Sequence, residues 1–352
     1  MPRPQNDAIR VRIFIAIVIV AMFGAALHVQ RAIRRADQEA RIREAAARTA
    51  PLRTLADQGV PEGAMMLFLR QSGDPDGRDG VLGVAPLTDL SDVRFEESIR
   101  CDRVHMRGGR GLCLATRGRF PVEYVALIFD RSFSIVGELP LAGTPSRTQV
   151  SPRGRYAAAT VFVTGHSYAD GSFSTQTSIA DLEAGTWLVE DLETFTVRRN
   201  GRLFQAIDFN FWGVTFTTDE VTFYATLWTA GRTYLVRGNL ETRSMDVVAE
   251  DVECPSLSPD GTRIAFKQRT GGLLGPVAWQ IGVLDLTTGA RHSTAESRLV
   301  DDQVQWLDDA RLLYALPAER PAAMDTWVVP ADGSGEPSIF LPSSYSAAVV
   351  HP

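Results

Sequence analysis

Cys254–Phe266 reads CPSLSPDGTRIAF: a short apolar run, a Pro-Asp-Gly turn, then a second run of alternating character. Pro presets the first φ of such a turn and Gly accepts a positive φ, so the two runs are expected to fold back on each other as a hairpin. Ile281–Gly289, IGVLDLTTG, follows with an apolar strand closed by an Asp-Leu-x-x-Gly turn. The pair recurs. Val150–Val163 is followed by SIADLEAG at Ser178–Gly185, and Thr215–Leu227 by TYLVRGNLETR at Thr233–Arg243. Gln305–Ala315 is followed by TWVVPADGSG at Thr326–Gly335, and His105–Thr116 by YVALIFDRS at Tyr124–Ser132. A four-strand unit of this kind cannot bury its apolar faces alone, so copies must stack on one another.

The turn positions Arg107, Ser151, Thr217, Ser258 and Leu307 are separated by 44, 66, 41 and 49 residues. Propeller blades repeat at about 40 to 50 residues, so one interval is too long. The excess is Trp187–Trp212, which either lies between two blades or enlarges one. Ala64–Arg70, Gly80–Pro86 and Val93–Glu96 add three strands upstream, and Ser344–Val350 adds one downstream. If the last strand completes the first three, five full units and one composite unit make six. The expected fold is all-β, a six-bladed propeller over 60–352, and a closed ring of this kind leaves few strand edges exposed.

SLSPDGTRIAF and the later LDLTTG resemble the repeats of TolB-like, WD40-like bacterial β-propellers. The stretches NFWGVTFTTDEVTFYATL, GRTYLVRGNL and VECPSLSPDGTRIAFKQR are also similar to a group of membrane-anchored actinobacterial TolB-like proteins whose function is not established. The resemblance implies a propeller, usually extracytoplasmic, that binds proteins or small ligands rather than performing chemistry. Ser258, Pro259, Asp260 and Gly261, which carry it, form a structural turn and inherit no active-site role.

Ahead of the repeats, Ile13–Val29 runs IFIAIVIVAMFGAALHV between Arg10 and Arg12 on one side and Arg31, Arg34 and Arg35 on the other. A spanning helix needs about 17 to 25 apolar residues, and flanking arginines can snorkel outward. The segment is read as a single-pass signal anchor over 13–30, after a basic tail at 1–12; a cleaved secretory signal is the alternative. Residues 31–59 are rich in Ala, Arg and Glu up to Pro51, and are expected to form a helical stalk or linker. Counting arginines near the span slightly favours a cytoplasmic C-terminal side. The family resemblance and the cysteines point the other way, and an extracytoplasmic propeller at the cell membrane is the expectation.

Charge narrows the function classes. The chain carries a formal −6, and residues 1–50 hold nine Arg against four acidic residues, so 51–352 sum to −11. An acidic body argues against nucleic acid as a partner, because neutralised phosphates supply most of that affinity. The Gly-x-Ser-x-Gly nucleophile elbow and the Gly-rich phosphate loop are both absent. His28, His105, His166, His292 and His351 are scattered without zinc-ligand spacing. Asp74, Asp76 and Asp79 are dense enough to suggest calcium, but Arg78 and Ala85 stand where an EF-hand loop needs oxygen ligands, so a polar hairpin loop is expected. No catalytic residue, metal site or cofactor is assigned.

Two groups remain. A bridge between Cys101 and Cys113 would close a short loop, yet a hairpin centred on Gly108 and Gly109 sets Cys113 opposite residue 104, so bridging needs a bulge or a curled strand. Cys254 is expected as a buried thiol. Thr194–Trp212 gathers Arg198, Arg199 and Arg202 with Phe204, Phe209, Phe211 and Trp212. This is the composition of a binding hot spot and equally that of aromatics packed between blades. Arg198, Arg199, Arg202, Phe211 and Trp212 are the candidate partner-binding residues. The expected function is a protein-interaction or ligand-sensing module at the envelope, of unassigned oligomeric state. The alternatives are a cation-dependent propeller enzyme of lactonase or lyase type, or a structural subunit of a larger membrane complex.

Overall fold

A computed structural model describes residues 53–74, 77–163, 174–270 and 278–352. The basic tail, the membrane segment at 13–30 and the stalk up to residue 52 lie outside the described residues, as do Asp76 and His166. Among the described residues no helix is long and apolar enough to cross a membrane. Residues 53–352 form one compact unit, which begins ahead of the expected boundary at residue 60. A single helical turn, α1 (Leu55–Gln58), opens it; the Thr54 hydroxyl caps the turn by accepting from Asp57 N, and Leu55 is buried in the first blade.

Six antiparallel sheets follow as blades. The first is composite: the C-terminal strand β26 (Ser344–Val350) pairs with β1 (Met65–Arg70), which pairs in turn with β2 (Val81–Pro86) and β3 (Arg94–Arg100). The second holds β4 (Arg103–Arg107), β5 (Arg110–Arg117), β6 (Glu123–Asp130) and β7 (Ile135–Pro140). The third holds β8 (Thr144–Val150), β9 (Tyr156–Val163), β10 (Ser174–Asp181) and β11 (Thr186–Val189). The fourth has six strands. Beyond β14 (Asn210–Phe216), β15 (Thr222–Thr229), β16 (Arg232–Asn239) and β17 (Ser244–Glu250) it adds β12 (Thr196–Arg199) and β13 (Arg202–Leu203). The fifth runs β18 (Glu253–Leu257), β19 (Arg263–Thr270), β20 (Ala278–Asp285) and β21 (Arg291–Ser293). The sixth runs β22 (Gln305–Asp308), β23 (Arg311–Pro317), β24 (Met324–Pro330) and β25 (Ser338–Leu341).

The expected composite blade is therefore present, with β26 as its innermost strand. The long interval enlarges a blade: Thr196–Leu203 adds two strands to the fourth, while Thr186–Val189, where the interval begins, is the ordinary fourth strand of the third.

A repeated packing device fixes strand register. Phe68 lies opposite Gly83, Phe129 opposite Gly111, Phe223 opposite Gly238 and Phe266 opposite Gly282, each as directly paired residues on adjacent strands. In every case the ring covers the glycine so closely that an added Cβ would sit 2.0 to 2.7 Å from a ring atom. An aromatic laid over a cross-strand glycine buries the ring while keeping the pleat flat, so the register is set by side-chain volume.

Chain direction divides the disc into two faces. Inner strands start on a face that also carries the links between blades, here the linker face, and end in tight turns on the opposite, turn face. Neighbouring turns interlock: the Glu220 carboxylate accepts from Ser151 Oγ at 2.6 Å and Arg153 N at 2.7 Å, and Asp309 accepts from Asp260 N at 3.0 Å. The compact unit begins on the turn face, where Arg53 O accepts from Phe95 N at the start of β3.

Candidate functional site

In many propellers the axis is where a ligand would sit, so its lining decides what the fold can do. The inner strands β26, β4, β8, β14, β18 and β22 surround it in that order. Blades three and six face each other across it. Gln305 Nε2 on β22 donates to Gln149 Oε1 on β8 at 3.0 Å, closing the middle of the channel. Towards the linker face, Arg103 Nε donates to Ser146 O at 2.7 Å, and the Arg103 guanidinium faces Asp302 at 3.8 Å. Arg147 donates to Ser146 O at 2.8 Å. Lys267, the single lysine of the chain, is buried and held at 3.2 Å from Glu253 and 2.5 Å from Asp301, with Trp279 donating to Glu253 at 3.0 Å.

These groups neutralise one another. Burial opposes the charged form of Lys267, but the Glu253 and Asp301 carboxylates overcome it and hold its pKa above the ordinary value. Burial pushes the Cys254 thiol up, so it is a packed, protonated side chain. Towards the turn face, His105 Nδ1 accepts from Val150 N at 3.0 Å, and burial holds its pKa down at about 3, so it is neutral. The voids left on the two sides of the glutamine bridge are about 20 Å³ and 30 Å³, room for one or two waters. Among the described residues, these two voids beside the glutamine bridge are too small for a substrate.

The acidic loop after β1 is explained from within. Asp79 accepts from Ser72 N at 2.8 Å, Ser72 Oγ at 3.1 Å, Gly73 N at 3.1 Å and Arg70 at 3.3 Å, while Asp74 accepts from the same Arg70 at 3.1 Å. The buried guanidinium of Arg70 thus stands between the two carboxylates where a cation would be needed. Among the described residues no group of three His, Cys, Asp or Glu could hold a metal ion. His292 Nε2 lies 2.7 Å from Ala331 O, a structural contact.

The structure splits the candidate partner-binding cluster. Phe211 and Trp212 sit on β14, the innermost strand of the fourth blade, and are buried. Arg198, Arg199 and Arg202 lie on the outermost hairpin of the same sheet, β12–β13. Sequence proximity misled here because Phe204–Phe209 carries the chain from the rim back to the axis. Arg199 pairs with Glu250 and lies over the rings of Phe204 and Tyr234, so it anchors the hairpin rather than facing a partner. Arg198, Arg202 and Leu203 are exposed, and Leu203 is 61% and Ile207 97% accessible. Two further apolar side chains stand out on the linker face: Phe120, 98% accessible, and its neighbour Val122. The sequence reading passed over the latter pair because a lone Phe in a Gly-Arg-Phe-Pro loop carries no periodic signal.

Cys101 and Cys113 are bonded, with Cα atoms 5.5 Å apart. Cys113 does pair with Val104 in the β4–β5 ladder, as the register requires. Cys101 escapes that register because it belongs to the short link between β3 and β4, where Cys101 N donates to Gly80 O and Asp102 N to Leu114 O. The bridge therefore ties the junction of the first two blades to the second strand of the second.

No family model matches the chain, and no curated protein matches it closely enough to be a relative. Solved structures do resemble it. TolB from Acinetobacter baumannii superposes with a TM-score of 0.55 at 17% identity, covering 84% of this chain and 69% of that one. A chain of a nidogen/laminin complex gives a TM-score of 0.51 at 10% identity, covering 82% of this chain and 98% of that one. At such identities the likeness speaks for architecture. Strand order, blade number and the superposition agree that the described chain has the fold of a TolB-like six-bladed β-propeller.

Proposed function

We propose that this chain is a non-catalytic, protein-binding propeller held at the cell envelope by its N-terminal apolar segment. The observation that carries the reading is the fourth blade. Among the described residues it is the one sheet extended beyond four strands, and the extension presents Arg198, Arg202, Leu203 and the adjacent Ile207 to solvent. Exposed apolar side chains beside arginines on a rigid scaffold are the composition of interaction hot spots. The plugged axis supports the non-catalytic part, since the usual place for a propeller ligand is filled by its own side chains.

Two sequence and structural features support the envelope. Ile13–Val29 is long enough to anchor, and a Cys101–Cys113 disulfide fits an oxidising compartment.

The test is site-specific photocrosslinking in intact cells expressing the full chain, with the photoreactive residue at Leu203 or Ile207 and, as control, at the exposed turn-face position Thr288. Discrete protein adducts from the first two and none from the third are expected, from chain that stays with membranes through an alkaline wash. Equal labelling at all three positions, or chain released by the wash, would overturn the reading.

A further inference from the structure

The β12–β13 hairpin turns at Asn200 and Gly201, both with positive φ, the conformation of a type I′ turn. Arg199 pairs with Arg202 and Arg198 with Leu203, and Phe204 N donates to Val197 O at 2.9 Å. Residues that flank a two-residue turn, and every second pair after them, exchange hydrogen bonds inside the hairpin; the pairs between do not. Leu203 falls in such a pair. Its N–H and C=O therefore point away from β12, to the outer side of the sheet, where no further strand follows among the described residues. Leu203 thus offers a neighbour its exposed side chain and both of its backbone polar groups.

The edge is also rigid and charged. Val197 and Phe195 are buried in the core between the third and fourth blades, and Arg199 is fixed by Glu250 and two aromatic rings, so the hairpin does not have to order on binding. The four outer strands, β12, β13, β16 and β17, hold Arg198, Arg199, Arg202, Arg232 and Arg237 against Asp246 and Glu250 alone. This is a local excess of three positive charges on a domain whose residues 51–352 sum to −11. Alternation along the strands puts Arg198 and Arg202 on opposite faces of the sheet. Acidic side chains on either face of an added strand would each meet an arginine.

Natural sheets protect such edges with charge alone, with proline or with a covering loop. Here Leu203 and Ile207 keep the edge apolar as well as basic, which suits pairing rather than prevents it. We propose that the outer edge of the fourth blade is a strand-addition site for an extended, acidic segment of a partner protein. Backbone bonds to Leu203 would supply affinity, and Arg198 and Arg202 the choice of charge. This rests on the protein-binding reading above and names its site and partner chemistry.

The experiment uses the full-length chain in mild detergent and a fluorescent eight-residue peptide of alternating Glu and Val. Its controls are the Lys-Val counterpart and a Glu-Val peptide N-methylated at every backbone nitrogen, which has no N–H to give a ladder on either edge. Anisotropy is expected to show at least tenfold tighter binding of the Glu-Val peptide than of either control, with slower hydrogen exchange in 200–207 when it is bound. The R198E/R202E variant is expected to reverse the charge preference. Equal binding of the three peptides, unchanged exchange in 200–207, or an unreversed preference in the variant would each overturn the inference. If photocrosslinks from position 207 persist in R198E/R202E while the peptides fail, strand addition falls and the protein-binding reading stands. Crosslinks absent in every variant overturn that reading itself.

Discussion

Gln149 and Gln305 meet across the axis of the ring, from strands of opposite blades 156 residues apart, with Gln305 Nε2 donating to Gln149 Oε1 at 3.0 Å. The bond takes one N–H of Gln305 and the carbonyl oxygen of the buried Gln149. Replacing one, as in Gln305→Leu, leaves a buried amide unpaired and is expected to cost about 1 to 3 kcal/mol. The double variant Gln149→Leu/Gln305→Leu should recover part of that loss. Urea unfolding of the four members of the cycle measures the coupling, and additive losses would show that the bridge contributes nothing.

Gly238 and Gly282 are covered by the rings of Phe223 and Phe266. Gly238→Ala puts a methyl at 2.2 Å from a ring atom and should destabilise by about 1 to 3 kcal/mol through overpacking. Pairing it with Phe223→Leu should relieve part of the strain, although that exchange loses ring burial of its own. A Gly261→Ala control, at a turn with open space around it, would feel backbone strain alone.

The Cys101–Cys113 bridge spans 12 residues of sequence. Its removal in Cys101→Ser/Cys113→Ser should cost on the order of 2 to 4 kcal/mol. Non-reducing peptide mapping of the wild-type chain should recover the two cysteines as one linked peptide and Cys254 as a free thiol.

His105 sets an acid limit. Its pKa in the folded chain is held down at about 3 by burial, from an ordinary 6.5. The unfolded chain therefore takes up a proton that the folded chain refuses. Stability from this site is complete above pH 6.5 and is lost as pH falls towards 3, at a slope approaching about 1.4 kcal/mol per pH unit. His105→Asn keeps an acceptor for Val150 N and should flatten the melting temperature between pH 6 and pH 4, checked by calorimetry across that range. The turn carboxylates act lower. Hydrogen bonds from Ser258 and Thr262 hold the Asp260 carboxyl well below the usual range, so its contribution persists above about pH 4 and fades only in stronger acid.

The blade count and the clasp were legible because turn chemistry is local: Pro and Gly at fixed offsets in SPDG and the aspartate-led LDLTTG turn declare themselves in any sequence. Even the four Phe-Gly pairs were visible once the register was known, though the two members lie on different strands and no single stretch shows them together. The axis was not legible. Gln149 and Arg147 come from the third blade and Glu253 and Lys267 from the fifth, and each is an unremarkable polar residue in its own segment. The rim cluster failed for the converse reason: Arg198 and Trp212 are close in sequence, but a chain crossing from rim to axis between them puts one in solvent and the other in the core. Cys101 shows the same limit at smaller scale, since ladder counting assumes that both cysteines belong to one hairpin.

The innermost strand of the first blade is the last one synthesised. Until Ser344–Val350 is in place, β1 has no inner neighbour and the strands of the sixth blade lack the β26 strand they pack against. Ring closure is therefore a matter of timing as well as of structure: without residues 344–350 the ring is an open arc, and β1 keeps an unpaired inner edge.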